Sequence, residues 1–190
     1  MEMKNKLNWS VIEMPQLIDA SQLYEEPPWE RGRFIYKGRG EVLVDKIEDQ
    51  VSGSLARYNH PKFKEAHYEI MRFIEDYIGE RLYPTYYYDR FYFKGQKLEI
   101  HSDRGACEVS ISINISHNLD YDWPIMFQKP DGSFISCITK PGDGVLYSGI
   151  DIPHWRDPMK GNKKSYYHQI FFHYVRRNGH FVEHAYDNGG

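Results

Sequence analysis

A mostly β (α+β) chain folded as a double-stranded β-helix, or jelly roll, is what three observations in this 190-residue sequence predict. From Thr85 to Tyr174, short runs of aromatic and β-branched residues follow one another, the composition that favours sheet. Turn-forming groups separate them, among them Pro130-Asp131-Gly132, Pro141-Gly142-Asp143-Gly144 and Lys160-Gly161-Asn162. One well-formed amphipathic helix precedes the series, so flanking helices are expected on the outer face of one sheet.

The first sixty residues hold short apolar pieces, then Pro27-Pro28, then a glycine-punctuated run from Arg31 to Val44 that reads as a hairpin. There Arg33, Phe34, Tyr36, Lys37 and Arg39 interleave basic and aromatic side chains, a pattern able to meet nucleic acid. A solvated hairpin face is the stronger reading, and nucleic acid is not expected as a partner. Between Pro61 and Leu82, the residues Phe63, Ala66, Ile70, Phe73, Ile74, Tyr77 and Ile78 recur at three- and four-residue intervals, a helical stripe opened by proline.

The strands follow. Thr85–Tyr88 and Arg90–Phe93 are aromatic and β-branched, Lys94–Lys97 turns the chain, and Leu98–Ile100 leads into His101. Arg104-Gly105-Ala106 breaks the run. From Cys107 to Ile115 the alternation is strict, with Val109, Ile111, Ile113 and Ile115 on one face and Glu108, Ser110, Ser112 and Asn114 on the other. Pro124–Phe127, Phe134–Ile138, Gly144–Tyr147 and Tyr166–Val175 complete the series, and Arg176–Gly190 is a polar tail in which Phe181 and Val182 can dock.

Length points to one domain, with N-terminal strands and helix over 1–84, the jelly-roll core over 85–175 and the tail over 176–190. The formal charge of −3 offers no broad attraction for nucleic acid or anionic lipid. Cys107 and Cys137 form no metal-type pair and read as reduced thiols of a cytoplasmic protein. Met1 to Asn8 is polar with no apolar signal segment, and no run approaches transmembrane length, so no membrane partner is expected.

His101-Ser102-Asp103 is the pattern that carries chemistry. On a strand, side chains two apart share a face, so this histidine and aspartate can converge on one metal ion. A second histidine from a distant strand would complete a two-histidine, one-carboxylate set with open positions, the usual holder of non-haem iron(II) in oxygenases. The tripeptide alone is weak in a chain with 9 histidines. His67-Tyr68-Glu69 shows why context decides: two residues on a helix turn a side chain by about 200°, so His67 and Glu69 diverge. His67 is expected at a surface or edge.

Four later histidines compete for the third place. His117 stands just past a strand, beside Asn118-Leu119-Asp120, and reads as a turn residue. His154 follows a turn and an apolar strand, Pro141 to Tyr147. His168 and His173 share the next strand with opposite parity, so at most one faces inward.

Arg90-Phe91-Tyr92, Gly95, Leu98 and His101-Ser102-Asp103, then Asp122-Trp123-Pro124-Ile125-Met126-Phe127, Pro141-Gly142-Asp143 and His154, stand in one order. From Arg90 to Val175 the chain resembles the catalytic core of the iron(II)- and 2-oxoglutarate-dependent dioxygenases, in particular small prolyl-hydroxylase-like members. The resemblance implies His101, Asp103 and His154 as ligands of Fe(II), with 2-oxoglutarate and O2 as cosubstrates. It implies an enzyme that decarboxylates 2-oxoglutarate to succinate and CO2 while hydroxylating a substrate C–H bond.

The resemblance also calls for a basic residue after the last histidine to bind the distal carboxylate of 2-oxoglutarate. Lys163 with Ser165, or Lys164, offers this, although their parity lets only one face inward on a strand. Arg90 and Tyr92 match a pair that binds this acid in some relatives, and Gln169 shares a face with Lys163. The arginine common in that slot is missing here. Trp155 and Arg156 flank the proposed ligand, where Trp155 can wall a pocket and Arg156 can reach a substrate carboxylate.

Three other readings fit the same residues. A cupin-type metal protein or enzyme not using 2-oxoglutarate would share the barrel, a zinc hydrolase could use the same ligands, and a non-catalytic jelly-roll binding module would need no metal. Nothing in the residues names the substrate: prolyl residues in a peptide, free amino acids, other small molecules and nucleobases all fit, and the resemblance favours the first.

Overall fold

Each of two facing antiparallel sheets takes strands from distant parts of the chain. In this computed structural model residues 7, 9–29, 35–38, 40–43 and 50–187 are described, 35–38 and 40–43 by their backbone alone. In chain order the elements are β1 (Val11–Met14), β2 (Ile35–Gly38), β3 (Gly40–Leu43), β4 (Leu55–Tyr58), α1 (Lys64–Ile78), β5 (Leu82–Phe93) and β6 (Leu98–His101). Then come β7 (Val109–His117), β8 (Ile125–Gln128), β9 (Phe134–Cys137), β10 (Gly144–Tyr147), β11 (His154–Arg156) and β12 (Tyr166–Arg176). The larger sheet runs β1-β10-β7-β12-β5-β4, the smaller runs β6-β11-β8-β9, and β2 pairs with β3 as a hairpin. This is the predicted jelly roll, with one α-helix outside it among the described residues. The side chains of Arg33, Phe34, Tyr36, Lys37 and Arg39 lie outside the described residues.

The central strands β7 and β12 bury both faces. Val109, Ile111, Ile113 and Ile115 of β7, with Ile170, Phe172 and Tyr174 of β12, pack with Phe63, Ile70, Ile74 and Ile78 of the helical segment. Fully burying each such side chain contributes roughly 1.5–3 kcal/mol. The opposite face of the same strands carries Ser110, Ser112, Asn114, Ser116, Gln169 and His173, all buried. Polar alternation along β7 therefore marks an interior lined with hydrogen-bonding groups, where a solvated face is the usual outcome.

The aromatic runs Thr85–Tyr88 and Arg90–Phe93 belong to one strand, β5, which continues through Asp89. Asp89 is completely buried because Arg57 of β4 donates to it from Nε (3.1 Å to Oδ1) and from Nη2 (2.6 Å to Oδ2). His168 Nε2 lies 2.8 Å from Oδ2. Burial pushes the Asp89 carboxyl up, but Arg57 and His168 outweigh it and hold the pKa below the usual value. Glu25 pairs with the same guanidinium, which ties the segment before β2 to the back of the sheet.

The helix rotates its stripe relative to the sequence reading. Phe73 and Tyr77 are 47% and 42% exposed, while His67 is 3% exposed, opposite to the expectation for that histidine. His67 stacks on Tyr174 and Phe172 (ring centroids 4.7 and 5.3 Å), and its Nε2–H donates to the carbonyl of His173 at 3.1 Å. An imidazole is flat enough to fill the core when its polar edge finds an acceptor. Gly79 ends the helix in the left-handed conformation (φ 73°), its N–H on the Glu75 carbonyl.

The polar tail folds back as far as residue 187. Tyr186 N–H donates to Pro84 O (2.7 Å) and Arg104 pairs with Asp187 (2.7 Å). Phe181 docks on Gly105, where an added Cβ would lie 2.6 Å from its ring, whereas Val182 stays 39% exposed. Both cysteines are buried and unpaired, and no described helix is long and apolar enough to cross a membrane.

Burial pulls the His67 pKa down to about 4. The unfolded chain then binds a proton here between about pH 6.5 and 4 that the folded chain does not, so stability is full above 6.5 and falls as pH drops. Denaturant titrations from pH 7 to 4.5 are expected to show a slope for wild type that exceeds that of His67→Phe by up to about 1.4 kcal/mol per pH unit. Equal slopes would refute this account of His67.

Candidate metal centre

His101 and His154 face each other across two neighbouring strands. They are register partners in the β6–β11 pair, with ring centroids 4.4 Å apart. Strand β6 ends at His101, so Asp103 reaches the same point from the following loop and not by strand periodicity. Its backbone N–H donates to Gly149 O at 2.8 Å, which turns the carboxylate back toward the imidazoles. Asp103 Oδ1 lies 3.2 Å from His101 Nε2 and 3.6 Å from His154 Nε2. His154 is 2% exposed at its side chain, Asp103 13% and His101 24%, so the group opens to solvent on one side.

Backbone carbonyls set both tautomers. His101 Nδ1 lies 2.8 Å from Glu99 O and His154 Nδ1 lies 2.9 Å from Ile152 O, in each case two residues back along the chain. A carbonyl can only accept, so each Nδ1 carries the proton and each Nε2 presents a lone pair. Two lone-pair nitrogens and a carboxylate oxygen thus converge with no proton between them, a set that a cation satisfies. That donor set fits a metal ion: the three ligating atoms lie within 4.8 Å of one another.

The electrostatics agree. Burial pulls the His154 pKa down, leaving it neutral and able to ligate. Burial raises the Asp103 carboxyl, but His154 and His101 overcome it and hold the pKa below the usual value. For His101, burial lowers the pKa, and the Asp103 carboxylate and Glu99 carbonyl more than offset it, for a net rise.

Two other His/Cys/Asp/Glu groups come together among the described residues. Glu25 and Asp89 already hold the Arg57 guanidinium, with His168 on Asp89, and the group needs no second cation. Cys107 and His173 adjoin Asp103 itself. Burial pushes the Cys107 thiol up, Tyr86 OH lies 3.3 Å from its sulfur, and His173 Nδ1–H donates to Ser110 Oγ at 2.8 Å. His173 is thus the inward member of the β12 pair and His168 the outward one, as their parity requires. His117 ends β7, accepting the Leu119 N–H at 3.2 Å and stacked on Tyr167.

The inner face beyond the triad is polar. Arg90 is fully buried and donates to Tyr92 OH (3.1 Å) and to Gln50 Oε1 (2.7 Å). Gln169 is Arg90's register partner and donates to Ser112 Oγ. Arg156 is 2% exposed and lies two residues beyond His154 on the same strand face, roughly 7 Å along it. Its guanidinium is 4.6 Å from the Trp123 ring centroid and 4.7 Å from that of Tyr167. Nη1 donates to Trp123 O at 2.8 Å, and Nε has no partner. Asn114 Oδ1, Tyr147 OH and Gln169 Oε1 are likewise buried without partners. Buried polar atoms are nearly always satisfied, so a cluster of exceptions marks where a polar ligand belongs.

Three sequence expectations fall elsewhere. Lys163 and Lys164 lie exposed in the turn before β12, with the Lys164 amine 4.6 Å from the Trp29 ring centroid. Asn162 and Ser165 close that turn through the Ser165 N–H to Asn162 O bond (3.0 Å), so the strand begins too late to turn either lysine inward. Trp155 lies on the opposite face from His154 and Arg156, edge-on to Phe134 at 5.3 Å. Gln50 and Gly149 carried no sequence signal. An added Cβ on Gly149 would meet Asp103 Oδ2 at 2.5 Å and Cys107 O at 2.4 Å, so only glycine lets the carboxylate approach.

No protein-family profile matches the sequence, and no curated protein does either. Solved structures share the fold. A Pseudomonas putida prolyl-4-hydroxylase aligns over 86% of this chain and 91% of its own, with TM-score 0.57 and 14% identity. The viral collagen prolyl hydroxylase of Paramecium Bursaria Chlorella virus-1, solved as a 2-oxoglutarate complex, aligns over 92% and 98% with TM-score 0.57 and 9% identity. SnoN, a non-haem α-ketoglutarate-dependent epimerase from nogalamycin biosynthesis, aligns over 86% and 76% with TM-score 0.58 and 9% identity. The chain has the jelly-roll fold of the 2-oxoglutarate- and iron(II)-dependent oxygenases, and at such identities the likeness is one of fold.

Replacing Gly149 by alanine is expected to weaken Mn(II) binding by at least about tenfold, the order expected when a group that orients a ligand is disturbed, while the protein stays folded by circular dichroism. Asp103→Ala is expected to abolish it. Unchanged Mn(II) affinity in Gly149→Ala would show that the Asp103 position does not govern the site.

Proposed function

We propose that this chain is an iron(II)- and 2-oxoglutarate-dependent oxygenase that hydroxylates a substrate C–H bond. The observation that carries the reading is the lone-pair triangle of His101, Asp103 and His154 inside a jelly roll whose inner face holds a buried guanidinium. Those three side chains hold the metal. A facial set of two histidines and one carboxylate leaves positions open for a bidentate ligand. When bound, iron(II) and 2-oxoglutarate supply O2 activation coupled to release of succinate and CO2.

The protein's own residues bind and orient. Arg156 takes the distal carboxylate of 2-oxoglutarate: it faces inward from the strand that bears His154, and its Nε lacks a partner. Gln169, Asn114 and Tyr147 offer further polar atoms, and Arg90 with Tyr92 flanks the same interior. Lys163 and Lys164 take no part. Tyr147 and Phe127, whose ring centroids lie 4.8 and 6.0 Å from that of His154, keep water from the inner side of the centre. The primary substrate is a prolyl or other amino-acid residue by likeness to the prolyl hydroxylases, and the epimerase marks how far outcomes diverge on this fold.

Anaerobic addition of Fe(II) and then 2-oxoglutarate is expected to produce the visible charge-transfer band of the chelate, absent in Asp103→Ala. Arg156→Gln is expected to weaken 2-oxoglutarate binding by roughly tenfold to a hundredfold, the range for a hydrogen bond to a charged group. The Lys163→Ala/Lys164→Ala double variant is expected to match wild type. A protein that binds Fe(II) but gives no band and releases no succinate with any substrate would overturn the assignment.

A further inference from the structure

Gln50 bridges the metal triangle and the buried Arg90. Its Oε1 accepts from Arg90 Nη2 at 2.7 Å, and its Nε2 lies 2.8 Å from His101 Nε2. Donor logic fixes the amide: arginine can only donate, so the carbonyl end faces Arg90 and the NH2 end faces His101. The neutral imidazole accepts, since its other nitrogen spends its proton on Glu99 O. Gln50 therefore caps the lone pair that a metal would use. The placement is built: the adjacent Val51 is 2% exposed, packed with Tyr92, Leu98, Trp123, Met159 and Tyr167.

We infer that Gln50 is a metal-displaced positioning residue: its amide caps His101 until a metal takes that nitrogen, and then donates to a carboxylate or carbonyl oxygen of the ligand on the metal's open side. The Arg90 bond limits how far the planar amide can turn about Cγ–Cδ, so displacement at His101 redirects the NH2 group by a small rotation of the whole carboxamide. An exposed amide anchored by a buried neighbour and a buried arginine can change partners without rearranging the sheet. This rests on the metal reading of the triangle.

Opposite effects on two ligands follow, which a purely structural role for Gln50 does not produce. Removing the amide removes a competitor for His101, so metal binds more tightly; it also removes a donor to the cosubstrate, so 2-oxoglutarate binds less tightly. The test is calorimetry with Mn(II) alone into wild type, Gln50→Ala and Gln50→Met, then 2-oxoglutarate into each Mn(II)-loaded protein. Methionine keeps the side-chain bulk and so preserves packing where alanine fails to fold. Both variants are expected to bind Mn(II) about threefold to tenfold more tightly and 2-oxoglutarate about threefold to tenfold more weakly, the size of one net hydrogen bond in each case. In wild type, the Gln50 side-chain amide resonances, assigned by their loss in Gln50→Met, are expected to move when diamagnetic Zn(II) is added. Wild type binding Mn(II) while the variants bind it equally or more weakly would overturn the inference and leave the metal site standing. Failure of wild type itself to bind Mn(II) would remove both.

Discussion

Everything at the centre of this molecule depends on the pairing of β6 with β11, which sets two imidazoles opposite each other with their lone pairs on the same side. Each ring is locked by a carbonyl two residues back in its own chain. Because the acceptors are backbone atoms, the tautomers follow from strand geometry and not from a further side chain that could rotate away. Asp103 joins from a loop whose approach is permitted by the absence of a side chain on Gly149. The result is a negative, proton-poor point inside a folded sheet. A cation would be favoured at such a point, and the same contacts define where it would sit.

That point is held rigid by the unusual duty of β7 and β12, which are buried on both sides. Their apolar rows close against the helix, and their polar rows form the wall of the interior. A shift of one residue in either strand would exchange the two rows, placing isoleucines in the polar interior and serines under the helix. Helix packing on one side therefore fixes the register of the pocket wall on the other. Among the buried atoms left without partners, those on Arg156, Asn114, Tyr147 and Gln169 face this interior. The Arg57–Asp89–His168 group lies on the opposite side, where its charges are closed among themselves and serve to tie β4 and β5 together.

Much of this was visible in the residues. Runs of aromatic and β-branched side chains located β5, β7, β8, β9, β10 and β12, because strand preference is a local property. Strict alternation in β7 located the two rows, though not that both would be buried. The errors share a cause. His67 reads as a surface residue because histidine is polar, and one carbonyl acceptor across the core makes it apolar in effect. Lys163 and Lys164 were placed by counting along the chain, and a turn closed by Asn162 and Ser165 delays the strand beyond both.

By itself the sequence pointed to the fold class, because strand propensity is written residue by residue, and it offered His101 and Asp103 as a pair of metal-ligand types. The choice of His154 over three other histidines was implied by the family resemblance and not by any local signal. Only the tertiary structure decided that His154 sits opposite His101, that Arg156 turns inward while Trp155 turns out, and that Gln50 and Gly149 stand at the centre. These are relations between strands far apart along the chain. Cross-strand register and the approach of one backbone to another depend on how all the strands pack together, and no single stretch of sequence contains that information.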